Sequence, residues 1–173
     1  MNYAILTPEL AVTNCNDSLK FYRDVLGFTV VYERKDEGFA FLERDGAQLM
    51  LDEIGKGRTW THPHAPLEKP LGRGVNLQIK VKSITTLLNT IGKHNITLFL
   101  SPEEKWYRRG DEEIGHRQFI VADPDGYLLR FYEYINIKDY KKIPWFSRMT
   151  GLLQSNPDQN RTCRTTASGS RKR

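Results

Sequence analysis

Apolar and polar residues change their spacing several times along this chain, and each change marks an element. Residues 5–12 read as a strand, and Asn14 or Asn16 can cap a helix over about 17–26. Gly27 ends that helix at low conformational cost. Strands follow at 29–34, 38–43 and 47–52, with Asp45-Gly46 as the tight turn between the last two. The order then recurs. A strand at 75–81 leads to a helix at about 84–94, then to strands near 97–100, 117–121 and 127–133.

Each half therefore reads β-α-β-β-β. FLERDGAQLMLDE and IVADPDGYLLRFYE superpose on their Asp-Gly turns. Two such copies are too few for a solenoid. They predict an α+β fold: two curved sheets, each covered by its helix on the convex side, with the concave sides around a cleft. Phe21, Tyr22, Leu26 and Phe28 belong to the core, whereas Phe39 and Phe41 share a sheet face and either pack there or stack on a ligand. Alternation sends Met50, Asn76, Gln78, Arg130 and Tyr132 into the cleft. Arg130 is the anomaly, a cation amid Leu128-Leu129 and Phe131-Tyr132. It either pairs with Asp52 or Glu9 across the cleft or meets the ligand directly.

Charge divides the chain. From Lys138 onward there are nine Lys/Arg against two Asp/Glu, which leaves 17 against 19 in residues 1–137. A mildly acidic body without a basic helix excludes the usual nucleic-acid footprint. No run approaches the roughly 18–20 apolar residues of a membrane span, and no basic-then-apolar leader opens the chain. Cys15 and Cys163 are the only cysteines, which points to a reducing cytoplasm rather than a disulfide framework. The expected organisation is one domain over 1–137 (repeats about 5–55 and 74–135), a docking helix at 138–154 and a disordered basic tail at 155–173. His62 and His64 fall in a proline-rich connection, His94 closes the second helix, and no catalytic triad or phosphate loop is visible.

NDSLKFYRDVLGF, followed by FIVADPDGYLLRFYE, resembles the vicinal oxygen chelate superfamily of glyoxalases, extradiol dioxygenases and bleomycin-resistance proteins, over about residues 5–135. Its enzymes hold a divalent metal with four strand residues, and the matching positions here are Thr7, Met50, Asn76 and Arg130. Arg cannot be deprotonated in a protein, and the other three are poor or soft ligands. The resemblance thus implies no metal, no cofactor and no superfamily metal chemistry. LTPEL at 6–10, GHRQFIVADPDG at 115–126 and the aromatic-basic loop EEKWYRRGDEEIG at 103–115 are similar to the bleomycin-resistance branch. That branch implies a strand-exchanged homodimer that sequesters a bleomycin-like small molecule without turning it over.

Such a ligand needs aromatic faces and carboxylates for its cationic end. Phe39 matches a stacking position of the branch; Trp60, Trp106 and Tyr107 lie on segments that could close over the cleft; Asp52 and the acidic run 111–113 can meet a cation. Where the branch carries a Trp before the strand into Asp-Pro, this chain has Ile114, Gly115 and His116, leaving Trp106 or Tyr107 as substitutes. The competing expectation is a metal-independent superfamily enzyme or a binder of another small metabolite, for which Glu9 with His116 is the available acid–base pair.

Overall fold

The computed structural model describes residues 3–58, 60 and 64–139. The expected docking helix, apart from Lys138 and Asp139, the basic tail and His62 lie outside them. Both modules form as read. The first is β1 (Glu9–Val12), α1 (Cys15–Lys20) continuing into a π-helical turn (Phe21–Val25), β2 (Thr29–Arg34), β3 (Phe39–Arg44) and β4 (Ala47–Glu53). The second is β5 (Asn76–Lys80), α2 (Ile84–Lys93), β6 (Leu98–Arg109), β7 (Glu112–Ala122) and β8 (Leu128–Asp139). The sheets run β1-β4-β3-β2 and β5-β8-β7-β6, with β1–β4 and β5–β8 parallel and the other pairs antiparallel. Register preserves the repeat: Glu9 lies opposite Met50 as Gln78 lies opposite Arg130.

Alternation decides what each face carries. Leu10, Val12, Leu42 and Leu51 of the first sheet, and Phe119, Val121, Leu129 and Phe131 of the second, are buried on the helix side. Tyr22, Leu26, Ile84, Leu87 and Ile91 complete that core. Asn14 is the α1 cap, its side chain accepting from the Asp17 amide at 3.0 Å. His94 ends α2 as expected. The start of α2 is held twice: Ser83 accepts from the Thr85 amide at 3.2 Å, and the β8 residue Glu133 accepts from the Ile84 amide at 2.8 Å. A carboxylate at a helix N-terminus satisfies an orphan donor and complements the helix dipole. Glu133→Ala is expected to cost about 1 kcal/mol in a denaturant melt, and Glu133→Gln less.

The Asp-Pro-Asp-Gly turn joins the modules. Asp125, 1% exposed, accepts from the Thr13 amide at 3.2 Å, the Thr13 hydroxyl at 2.7 Å and the Ser18 hydroxyl at 3.4 Å, and pairs with Lys69 at 3.0 Å. Asp123 accepts from the Tyr22 hydroxyl at 2.9 Å and from the Asp125 and Tyr127 amides at 3.0 and 2.8 Å. Burial pushes its carboxyl above the usual range, and these donors oppose that shift. Gly126 sits at φ +91°, where a Cβ would run into Pro70.

Two expectations are corrected. The first strand begins at Glu9, and Ile5 and Leu6 before it are exposed. Residues 103–115 are not a loop: they form the long β6–β7 hairpin, turning at Gly110-Asp111, and β8 runs alongside to Asp139. The backbone ladder to β7 and β8 carries this extension, and exposed ion pairs cross its strands. Arg117 bridges Glu104 (2.8 Å) and Glu133 (2.9 Å), and Arg109 meets Glu112 (2.8 Å).

Candidate functional site

The face of each sheet away from its helix is the concave one, and the two faces carry different chemistry. On the first, Phe39, Phe41, Met50, Asp52 and Glu9 share a side by register. Phe39 is 7% exposed because its ring is already covered: the Arg34 guanidinium lies 3.8 Å from its centroid and Tyr32 stacks at 5.8 Å. Tyr32 also stacks on Phe41 at 5.2 Å, and Tyr3 meets Phe41 edge-on at 5.8 Å. Sheet packing is therefore what Phe39 does in the free chain.

Beside this aromatic cluster, Glu9, Ala11, Asp52 and Trp60 line a shallow pocket. Trp60 is 66% exposed, with the Arg58 guanidinium 4.0 Å above its ring. Glu9 and Asp52 both hold their protons above the usual carboxylate range. Partial burial is the first cause for each; for Glu9 the adjacent Asp52 charge adds to it, and Arg34 counteracts in both. Two carboxyls that resist ionising together gain from a cation placed between them.

The second concave face carries a hydrogen-bonded chain across all four strands. From β8, Arg130 donates to the Gln78 side-chain oxygen on β5 at 2.6 Å and approaches the Tyr107 hydroxyl of β6 at 3.5 Å. The Gln118 amide on β7 donates to the Tyr107 hydroxyl and to Glu103 of β6, each at 2.8 Å. His116 packs between Tyr132 (4.2 Å) and Tyr107 (5.3 Å), and burial, with the Arg130 charge second, keeps its pKa below the ordinary imidazole value.

Of the residues singled out from sequence, Arg130, Gln78, Tyr107 and Tyr132 come together here, with Asn76 exposed at the β5 edge of the same sheet. Met50, Asp52, Phe39 and Trp60 sit at the first face. The expected pairing of Arg130 with Asp52 or Glu9 is not formed; Gln78 and Tyr107 hold it instead. Nor do Glu9 and His116 form an acid–base pair: Glu9 lies by Asp52 and His116 against Tyr132. Trp106 turns away. It lies opposite Gly115, on the face of Glu104 and Arg117, and a Cβ on Gly115 would meet its ring at 2.7 Å. Lys138 covers it at 3.5 Å. Gln118 and Glu103 were missed, although their alternation with buried Phe119 and with Glu104 carries the signal.

The superfamily's metal positions do not suit a metal here. Thr7 precedes β1, Met50 is soft, Asn76 is neutral and Arg130 is a cation. Among the described residues, no three His, Cys, Asp or Glu side chains form a metal-binding group.

Two repeated β-α-β-β-β modules with open concave faces define a glyoxalase-type fold in which small molecules are the natural occupants. The chain belongs to the glyoxalase/bleomycin resistance protein/dioxygenase superfamily, whose family model matches residues 4–131. It is 31% identical over 137 residues to a bleomycin resistance protein of Geobacillus stearothermophilus, covering 74% of this chain and 95% of that one. Solved structures share the fold. A virulence protein from Salmonella typhimurium has a TM-score of 0.58 at 19% identity over 78% of this chain and 99% of its own. A lactoylglutathione lyase from Agrobacterium tumefaciens has 0.51 at 16% over 75% and 92%. No helix among the described residues is long and apolar enough to cross a membrane.

Proposed function

We propose that the chain binds and sequesters bleomycin-type glycopeptide antibiotics without chemical turnover, as a cytoplasmic homodimer. The observation that carries this reading is the Glu9–Asp52 pocket flanked by Trp60, beside the Phe39–Tyr32 stack. Two carboxyls with raised pKa offer a cationic drug terminus the charge neutralisation they lack, and an exposed indole offers a face for a flat ring system or a cation. The likeness to chains named bleomycin resistance protein supports the same ligand class. The four metal positions, unsuited to a metal, support binding over catalysis. Exposed Ile5 and Leu6, ahead of a first strand of only four residues, support exchange of that segment with a second copy.

The ligand-binding residues in this reading are Glu9, Asp52 and Trp60 at the cation end, with Phe39 and Met50 beside them. Asn76, Gln78, Tyr107, Arg130 and Tyr132 serve the polar face. Trp106 contributes only where a hairpin from the second copy reaches over. Drug-driven DNA cleavage is the functional assay. Protein added in steps should abolish cleavage near equimolar ratio while the drug is recovered unmodified by mass. Catalytic amounts protecting an excess of drug, with a mass change, would instead identify an enzyme.

A further inference from the structure

Arg130 is held in place, yet its charge is not neutralised. Among the described residues no carboxylate forms an ion pair with it, and its buried Nε finds no acceptor. Its two hydrogen bonds go to a neutral amide oxygen and, at 3.5 Å, to a neutral hydroxyl. Beyond those two bonds the terminal Nη1 and Nη2 each keep one N–H, and such a pair is a fork shaped for two oxygens of one carboxylate or phosphate. His116 lies in the same cluster with a buried Nδ1 that also lacks a partner.

The surrounding charge has the same sign. Lys80 lies opposite Tyr132, and Lys105 opposite His116, on the concave side by register. Glu103 is the acid near the network, and Gln118 holds it at 2.8 Å. Around the network Arg130, Lys80 and Lys105 stand against Glu103, while Arg109 and Glu112 farther out on the hairpin pair with each other, which biases the neighbourhood of Arg130 towards an anion. The first concave face, with Glu9 and Asp52, is biased the other way.

We infer that the Arg130 cluster is an oxyanion receptor, taking a carboxylate or phosphate group of a small molecule on the fork of Arg130. The hydrogen bond from Arg130 to Gln78 and the approach to Tyr107 fix the guanidinium plane before the ligand arrives, so little rotamer entropy remains to be lost on binding. In the proposed reading the same residues line the polar face of the antibiotic site; anion binding is a separate property of the Arg130 fork, whose charge preference is opposite to that of the acidic pocket.

The test is nuclear magnetic resonance of arginine side-chain Nε–Hε groups in the full chain, titrated separately with sodium phosphate and sodium succinate at ionic strength fixed by sodium chloride. One resonance, assigned by its loss in Arg130→Gln, should shift saturably with at least one of the two anions and not with chloride. A phosphate-only response names a phosphate ligand, and a succinate-only response a carboxylate. Read from the backbone amide shifts of Gln78 and Tyr107, which remain in every variant, Arg130→Gln should weaken binding at least about tenfold, the loss expected for one charge-assisted hydrogen bond. Arg130→Lys, which keeps the charge without the fork, should fall between.

No saturable shift with either anion would overturn the inference. So would a shift that follows protein concentration alone, since an acidic group of a second copy would then occupy the fork. No drug is present in these titrations, so this result and the antibiotic reading fail independently.

Discussion

Asp125→Ala should destabilise the fold by about 3 kcal/mol, the scale expected when several buried donors and an ion pair lose one acceptor. At this chain length that is roughly a 10 °C fall in melting temperature. The carboxylate, 1% exposed, accepts from the Thr13 amide, the Thr13 hydroxyl and the Ser18 hydroxyl. All three belong to the first module, while Asp125 belongs to the second. Removing it also strands Lys69, although that side chain is 51% exposed and can turn to water. Asp125→Asn keeps an oxygen for Thr13 and should cost less than Asp125→Ala. Tyr22→Phe, which deletes the 2.9 Å bond to Asp123, should cost about 1 kcal/mol. A melt of Asp125→Ala within about 1 kcal/mol of the parent would mean that apolar packing alone joins the modules.

The second large effect concerns drug affinity. Glu9→Gln with Asp52→Asn should weaken binding of a cationic bleomycin about a hundredfold, and either alone about tenfold, if each charge-assisted contact contributes the usual amount. The pH dependence has a defined sign. Both carboxyls have raised pKa values in the free chain, so each binds its proton more tightly folded than unfolded. Their contribution to the stability of the free protein therefore improves as pH falls through the raised pKa values. Affinity for a cation goes the opposite way, because protonation removes the charge it meets. Lowering pH from neutrality should release the drug while leaving these two groups' share of stability undiminished, and added salt should weaken binding at this partly exposed pocket. Titrations at several pH values, beside melts of the free protein, check both signs. Affinity that does not change with pH would remove Glu9 and Asp52 from the site.

Much of this architecture was legible because local signals agreed. Both modules, both Asp-Gly turns and the buried set of Phe21, Tyr22, Leu26 and Phe28 follow from spacing. So does the placement of Arg130 on the face opposite Leu129 and Phe131, each 0% exposed. The β6–β7 hairpin was not legible as strand, because Glu103, Lys105, Arg108 and Glu113 look like a solvated loop until cross-strand partners are known. The face taken by Trp106 depended on that register, and alternation could not decide it without the hairpin. Nor could sequence show that Arg34 covers Phe39, since that contact depends on how β2 bulges between Val30 and Tyr32. The link from Thr13 to Asp125 spans 112 positions and leaves no local trace.

The missing branch Trp has a physical counterpart. Gly115 leaves the space into which the Trp106 ring packs, so an aromatic at 115 and the present position of Trp106 exclude each other. Within one chain that ring lies on the helix side of its sheet. In the proposed reading the exposed aromatic face is therefore Trp60, with Phe39 beside it already covered by Arg34 and Tyr32.

Calorimetric titration of the purified protein with metal-free and copper-loaded bleomycin tests sequestration most directly, with Glu9→Gln/Asp52→Asn and Phe39→Ala run alongside. Sequestration predicts tight binding near one drug per subunit, weakened strongly by the double charge variant, and more modestly by Phe39→Ala because that ring starts out covered. No heat at high micromolar drug, in either metal state, would contradict it.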